Sequence, residues 1–400
     1  MMIGVAEAYR IVLDNVSTLP TKAVDIRDAV GFCLAEDIES DIDMPPFDKS
    51  AMDGYAVIAE DSTDGTELLV IENIAAGTIP LKTVEKGQSS KIMTGASIPP
   101  GADSVIKVED TEELDNGRIR IKKRVKKGEN ICRKGEDFKA WQVVLEKGKI
   151  LRPQEIGVLA MVGVQKVKVF SAPRVGIIST GDELIKVGRK PKAGQIRDSN
   201  SYSLAAQVKQ TQAVVEFLGC ARDEKSKILP LIKKGLKRDV LILTGGVSMG
   251  EYDLVVDALQ DAGVDIFFHK VAIRPGKPIV FGKKQKTAVF GLPGNPVATY
   301  VNFELFVGPA IRKMMGFTDV RRTIVKAQLE VELSRKRTRR EYRPARLRMA
   351  DGKFYVAPVE WHGSADLLGA SRGNSLLIIP EETDKIPQGG EVEVMVTGEF

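Results

Sequence analysis

Three apolar runs in this chain each break into a rigid loop rich in glycine and proline, and that pattern narrows the fold more than any other feature. Val240 to Leu243 runs into Thr244-Gly245-Gly246-Val247-Ser248-Met249-Gly250-Glu251-Tyr252-Asp253. Ile266 to Ile273 runs into Arg274-Pro275-Gly276-Lys277-Pro278, and Thr287 to Phe290 into Gly291-Leu292-Pro293-Gly294-Asn295-Pro296. Each loop falls where a buried strand is expected to end. Glycine lets backbone N–H groups approach a ligand closely, and proline fixes a loop's shape in advance. In a parallel sheet such loops collect at the carboxyl ends of the strands, where ligands bind. Together they predict a seat for an anionic, nucleotide-like molecule.

The flanking segments supply the alternation that such a sheet requires. Val175 to Ser179 is strand-like and ends in Thr180-Gly181-Asp182-Glu183. Ser199-Asn200-Ser201 is read as the cap of a helix towards Gln210. Ala213 to Leu218 predicts a second strand, Ile228 to Leu236 a helix, Tyr252 to Ala262 another, and Pro296 to Met315 a long closing helix with proline at an early position. Strand alternating with helix predicts a central parallel, doubly wound α/β domain over 173–319.

The rest of the chain differs in texture. Residues 1–44 read as helical, with Val5 to Leu13 and Ile26 to Leu34 as face-forming runs, and together with 139–172 they predict a helical and extended linking domain. Pro153-Gln154-Glu155 starts a short helix. Residues 45–138 predict an inserted β domain, with Tyr55 to Ile58, Leu68 to Ile71 and Ser104 to Val108 strand-like between turn signals. Residues 320–400 predict a C-terminal β-barrel-like domain, with strands at Thr323 to Leu333, Ala345 to Met349, Phe354 to Pro358, Ser375 to Ile379 and Glu391 to Thr397. A chain of 400 residues exceeds what one core usually organises, so a multidomain α/β protein is expected.

Charge and composition exclude several classes. A net charge of +5 is small against 59 basic and 54 acidic residues, so an anionic substrate is allowed and nucleic acid is not required. Cys33, Cys132 and Cys220 are odd in number and far apart, which fits neither a zinc finger nor a disulfide framework and suits a reducing cytoplasm. Two histidines, His269 and His362, argue against imidazole-rich metal sites and most histidine-dependent triads. There is no apolar run of about 18 residues to span a membrane. The first fifteen residues mix Glu7, Arg10 and Asp14 into an amphipathic pattern unlike a signal peptide.

Carboxylates recur beside the α/β loops: Asp182, Glu183, Asp198, Asp223 and Asp253. With Arg274 and Lys277 they predict one rim suited to a magnesium ion bridging phosphate oxygens, the cations neutralising the remaining charge. Taken singly, each aspartate is better read as a helix cap; the set on one rim is what points to chemistry.

The ordered combination is more specific. Thr180-Gly181-Asp182-Glu183-Leu184, Ile196-Arg197-Asp198-Ser199-Asn200, the three loops above, and Phe47-Asp48-Lys49-Ser50-Ala51-Met52-Asp53-Gly54-Tyr55-Ala56-Val57 resemble the MoeA family, the molybdopterin molybdenumtransferases, which include the E domain of gephyrin. The resemblance spans nearly the whole chain. It implies insertion of molybdate (or tungstate) into adenylated molybdopterin with magnesium-dependent release of AMP. The dithiolene brings soft sulfur ligands, so the protein need not offer cysteine. It further implies catalytic Asp53, Glu183, Asp223 and Asp253, of which Glu183, Asp223 and Asp253 serve the metal. Glu183 and Asp198 would contact the pterin side or order water, with Thr180, Gly181 and Ser199 beside them. Gly245, Gly246 and Ser248 would cradle a phosphate, and Arg274 and Lys277 would hold the oxyanion or terminal phosphate. Pro293, Gly294 and Pro296 would shape the wall, with Asn295 read as a helix cap. Thr94 and Arg133 join Asp53 as site residues of the inserted domain, which in the family leans over the α/β domain of a dimer mate. A homodimer follows, with molybdopterin adenylyltransferase and apo-molybdoenzymes as partners and neither nucleic acid nor membrane.

Two other readings share these features: a nucleotide pyrophosphatase-like enzyme on the same α/β core, and a non-catalytic scaffold resembling gephyrin. The Val247-to-Asp253 continuation and the extra β domains favour the transferase over the first; the retained acidic loop residues favour it over the second. The basic run Arg335-Lys336-Arg337-Thr338-Arg339-Arg340 lacks interleaved aromatics for nucleic acid and reads as a solvated turn or a substrate-steering patch.

Overall fold

In the computed structural model, which describes residues 2–246, 254–336 and 338–399, the apolar runs of the central region lie in one six-stranded sheet. Its strands are β1 (Arg174–Thr180), β2 (Val214–Ala221), β3 (Val240–Thr244), β4 (Asp265–Lys270), β5 (Pro278–Lys284) and β6 (Thr287–Leu292), in spatial order β2-β1-β3-β6-β5-β4. Alternate side chains fill two cores. Val175, Ile177, Val240 and Ile242 join one, with Leu204 and Val208 of helix α1 (Asn200–Gln210). Ile178, Leu241 and Leu243 join the other, with Ile228 and Ile232 of α2 (Lys225–Gly235) and Val255 and Leu259 of α3 (Leu254–Asp261). Each fully buried Val, Leu or Ile contributes about 1.5–3 kcal/mol, so two filled faces commit these runs to a doubly wound sheet.

The sheet is mixed where the sequence predicts a parallel one. Strands β1, β2, β3 and β6 are mutually parallel, while β5 runs against both β6 and β4. The cause is connection length. Only Gln285 and Lys286 join β5 to β6, too few for a crossover helix, so the pair forms a hairpin. Since β4 is antiparallel to β5, its carboxyl end returns to the same edge as those of β3 and β6, and the Arg274–Pro278 loop emerges there.

The closing helix is also not uniform. Pro296–Asn302 (α4) passes through a wider π turn at Phe303–Val307 before Gly308–Met314. Pro309 lacks the N–H that would bond the carbonyl four residues earlier, which loosens this turn.

Two compact units divide the chain: Met1–Ala35, Gly148–Arg152 and Lys166–Phe400 in one, Glu36–Lys147 and Pro153–Gln165 in the other. The first also holds the C-terminal barrel. Its strands Ile324–Leu329, Arg340–Ala350, Lys353–Pro358, Ser375–Ile379 and Glu391–Val396 close on themselves, because Arg340–Ala350 pairs with both Lys353–Pro358 and Ser375–Ile379. The predicted helix at Val5 to Leu13 is Val5–Asp14. The second predicted run, Ile26 to Leu34, is not a helix. Thr21–Asp25 is a strand paired with Lys166–Phe170, and only Ile26–Asp28 turns, with Asp25 accepting from the Arg27 N–H at 3.0 Å.

The second unit carries a six-stranded sheet containing Gly54–Val57, Glu67–Ile74, Gln88–Ile92 and Ser104–Lys107, with Tyr55, Leu68, Ile106 and Ile119 packed on one face. The predicted short helix is there too, Pro153–Met161.

Candidate active site

The order β2-β1-β3 places the sheet's switch point between β1 and β3, and a cavity of about 450 Å³ opens at the carboxyl ends of β1, β3 and β6. Of the residues proposed from sequence, Thr180, Glu183, Asp198, Ser199, Asp223, Gly245, Gly246, Pro293, Gly294 and Pro296 line it together. Gly181 lies in the wider groove adjoining it. Ser248 and Asp253 fall outside the described residues.

Gly245 and Gly246 have φ of +91° and +66°, where an L side chain is strained. A Cβ on Gly245 would stand 2.2 Å from the Thr180 carbonyl oxygen, and one on Gly246 2.7 Å from Thr180 Oγ1. The end of β3 therefore presents bare backbone to the cavity directly against the end of β1.

One wall is acidic. Burial first, then the charges of Asp182 and Glu183, push the Asp223 carboxyl up, while the Thr180 hydroxyl pulls the other way. The Asp223 N–H donates to Asp182 Oδ1 at 3.4 Å. Like charges crowded at the neighbouring ends of β1 and β2 are what a divalent cation would relieve. Among the described residues no group of three His, Cys, Asp or Glu side chains is arranged to hold a metal.

Asp198 has a structural task that its motif does not reveal. Its Oδ2 accepts from Ser179 Oγ and Ser201 Oγ, each at 2.6 Å, and its Oδ1 from the Ser201 N–H at 3.1 Å. It thus caps α1 and ties that helix to β1. Ser199 occupies the N-cap position but makes no side-chain cap bond, which corrects the reading of the serine as the cap.

The floor depends on a residue that the motif reading treated as part of that cap. Asn200 Nδ2 donates to Thr244 Oγ1 at 3.0 Å and to the Gly294 carbonyl at 2.7 Å, and Thr244 Oγ1 donates to the Pro293 carbonyl at 3.1 Å. Its buried Oδ1 has no donor among the described residues. The signal lay in the sequence as an asparagine at the first position of a predicted helix. Asn295 is at the N-cap position of α4 yet makes no side-chain cap bond; its Nδ2 donates to Ser364 Oγ at 2.9 Å.

Arg274 and Lys277 do not line the cavity, although Pro278 of the same loop does. The Arg274 guanidinium lies 3.8 Å from Glu341 of the barrel. The run 335–340 is only in part a solvated patch: the Arg335 side chain is 3 % exposed and sits inside the barrel end, bonded to Glu341 at 3.2 Å.

In the second unit, Asp53 Oδ1 accepts from the N–H of Thr94 at 2.7 Å and from its hydroxyl at 2.8 Å, which lowers the Asp53 carboxyl. Arg133 donates to Asp48 Oδ2 at 2.6 Å.

Comparison with known proteins matches three successive family models: the MoeA N-terminal region (domain I and II) over residues 3–163, a molybdopterin-binding domain model (described as probable) over 176–313, and the MoeA C-terminal region (domain IV) over 326–397. A molybdopterin molybdenumtransferase of Staphylococcus aureus is 33% identical over 401 residues, covering 99% of this chain and 96% of its own. This chain belongs to the MoeA family. A Staphylococcus epidermidis molybdopterin molybdenumtransferase is 34% identical with the same coverage. The solved molybdopterin biosynthesis MoeA protein of Pyrococcus horikoshii OT3 superposes with a TM-score of 0.84 at 33% identity, over 99% of this chain and 100% of that one. As a MoeA-family enzyme the chain acts in molybdenum cofactor biosynthesis. Its cavity lies within the segment matched by the molybdopterin-binding model, apart from Ala365.

Proposed function

We propose that the chain inserts molybdate, or tungstate, into adenylated molybdopterin and releases AMP. The observation that carries this is the cavity itself: bare backbone at Gly245-Gly246, an acidic wall at Glu183 and Asp223, and a proline-shaped rim at Pro293 to Pro296. A phosphoanhydride brings concentrated negative charge, and backbone N–H groups at a glycine turn suit its oxygens. Asp198 and Asn200 keep β1, α1, β3 and the Pro293-Gly294 turn in register, so the donors are preorganised before the ligand arrives.

Magnesium belongs to this reading. Glu183 and Asp223, with Asp253, would hold it, and when bound it would neutralise phosphate charge during cleavage of the anhydride. Arg274 and Lys277 would receive the oxyanion from the barrel side of the same sheet edge. Asp53, its carboxylate fixed by Thr94, would act with Arg133 in a homodimer whose sites each combine residues of two copies. Three free cysteines suit a cytoplasmic location. The boundaries at about residues 44, 138, 172 and 319 belong to the same proposal.

The test mixes purified protein, adenylated molybdopterin, magnesium and each oxyanion in turn, and measures AMP release and metal retained on the pterin. Metal-loaded pterin and AMP in equal amounts support the reading; AMP released without metal retention defeats it. Mixing inactive D53A and D223A chains tests the dimer: partial recovery of activity supports sites built from two copies, and none counts against them.

A further inference from the structure

Glu341 is a fully buried carboxylate with an unusual excess of cations around it. Its Oε1 accepts from Arg343 Nε at 2.9 Å and its Oε2 from Arg335 at 3.2 Å. Both arginines come from the barrel, and Arg335 is itself enclosed, donating also to the carbonyls of Thr383, Arg339 and Pro380. These two partners already engage both carboxylate oxygens. Yet a third guanidinium, that of Arg274, reaches Glu341 Oε2 at 3.8 Å from outside the barrel.

That third contact is built into the backbone. Ile273–Arg274 adds to the barrel sheet as a short parallel strand against Arg340–Glu341, and Arg274 is the register partner of Glu341. Arg339 fastens the same point by donating to the Ile273 carbonyl at 2.9 Å. The Arg274 side chain remains 46 % exposed. A carboxylate already shared by two nearer arginines cannot neutralise a third at this distance. It can still set its direction, because a guanidinium is a rigid planar fork. Arg274 therefore keeps its charge and its N–H groups for another anion, while the Glu341 charge 3.8 Å away biases the direction of the guanidinium.

We propose that Glu341 is a positioning residue: from inside the barrel it orients the Arg274 guanidinium, at the head of the Arg274–Pro278 loop, to receive the oxyanion substrate. This rests on the reading of Arg274 as an oxyanion ligand. It gives the C-terminal barrel a task in the reaction, since the barrel supplies the carboxylate and the α/β domain supplies the loop.

The experiment compares wild type, E341Q, R274A and the double variant in the oxyanion-insertion assay, with molybdate varied at saturating adenylated molybdopterin, and measures the rise in melting temperature on adding molybdate alone. E341Q is expected to raise the KM for molybdate about tenfold, as for loss of one charge-assisted contact, with little change in the KM for adenylated molybdopterin. It should also shrink the molybdate-induced melting shift. E341Q added to R274A should cost nothing further for molybdate, and E341D should recover part of the loss. A normal molybdate KM in E341Q, or additive losses in the double variant, would overturn the positioning role even with Arg274 confirmed. A normal molybdate KM in R274A would instead remove the oxyanion reading of Arg274, and the positioning role with it. If E341Q does not fold, E341D carries the test: a selective rise in the molybdate KM supports the proposal, and equal rises for both substrates reject it.

Discussion

The Nδ2 of Asn200 lies 3.0 Å from Oγ1 of Thr244, joining the first turn of α1 to the end of β3 beneath the cavity. The same nitrogen reaches the Gly294 carbonyl, so one side chain sets the spacing between two ligand-facing loops. N200A removes both bonds. At about 0.5–1.5 kcal/mol each, the expected loss is roughly 1–3 kcal/mol by urea unfolding. Insertion activity should fall further than stability does, because the loops lose their register. S199A is the control: Ser199 makes no cap bond, and its unfolding midpoint should stay close to wild type.

The glycines of this site are not equivalent. G245A meets a backbone oxygen at 2.2 Å and G246A meets Thr180 Oγ1 at 2.7 Å and Val255 Cγ2 at 2.8 Å, both at positive φ. Each is expected to cost about 1–3 kcal/mol of strain and to misplace the phosphate-facing backbone. At Gly294 the nearest atom to an added Cβ is 3.7 Å away, and φ is not in the left-handed region. G294A should melt close to wild type. Equal melting temperatures for G246A and G294A would refute this ordering.

Much of this site was legible because the loops carry their chemistry locally. Gly245-Gly246 and Pro293-Gly294 announce themselves by residue type, and each follows an apolar run that can only be a buried strand. What could not be read were pairings between segments distant in sequence. Arg335 sits in a run of cations that reads as solvated, but Glu341, six residues on, turns it inward. Asp198 lines the cavity, but its bonds from Ser179 and Ser201, which tie β1 to α1, join segments that the chain order alone does not bring together. The direction of β5 depended on two residues, Gln285 and Lys286, which look like any short turn. The strand Thr21–Asp25 has no apolar alternation of its own; its partner Lys166–Phe170 makes it a strand.

Asp223 gives the site a pH signature. Its folded pKa is raised above the ordinary 3.8 by burial and by Asp182 and Glu183. The folded protein thus holds this proton more tightly than the unfolded chain does. The resulting stabilisation is complete below about pH 3.8 and is lost as pH rises through the folded value. At neutral pH the ionised carboxylate is therefore a net burden on the fold. D223N should melt higher than wild type at pH 7, with the gap closing towards pH 4, while its insertion activity falls. Magnesium should raise the melting temperature of wild type more than that of D223N. A D223N protein that melts lower at pH 7 would contradict the assignment.

The cations at 335–340 are expected to separate sharply by burial. Arg335 is 3 % exposed and Glu341 is fully buried, so R335A takes away one of the two guanidiniums bonded to that carboxylate inside the barrel and leaves Arg343 on the other oxygen. Losing that buried charge-assisted bond costs about 1.5–3 kcal/mol. Arg340 pairs with Glu393 at 3.6 Å, and both side chains are substantially exposed. Water and salt screen that pair, and R340A should cost less than about 1 kcal/mol. Urea unfolding of the two variants tests the contrast, and R335K sharpens it. Lysine keeps the charge but cannot reproduce the fork that reaches Glu341 and the carbonyls of Thr383 and Arg339 together, so it should recover only part of the loss. A solvated turn, as the sequence alone suggests, would make all three substitutions alike.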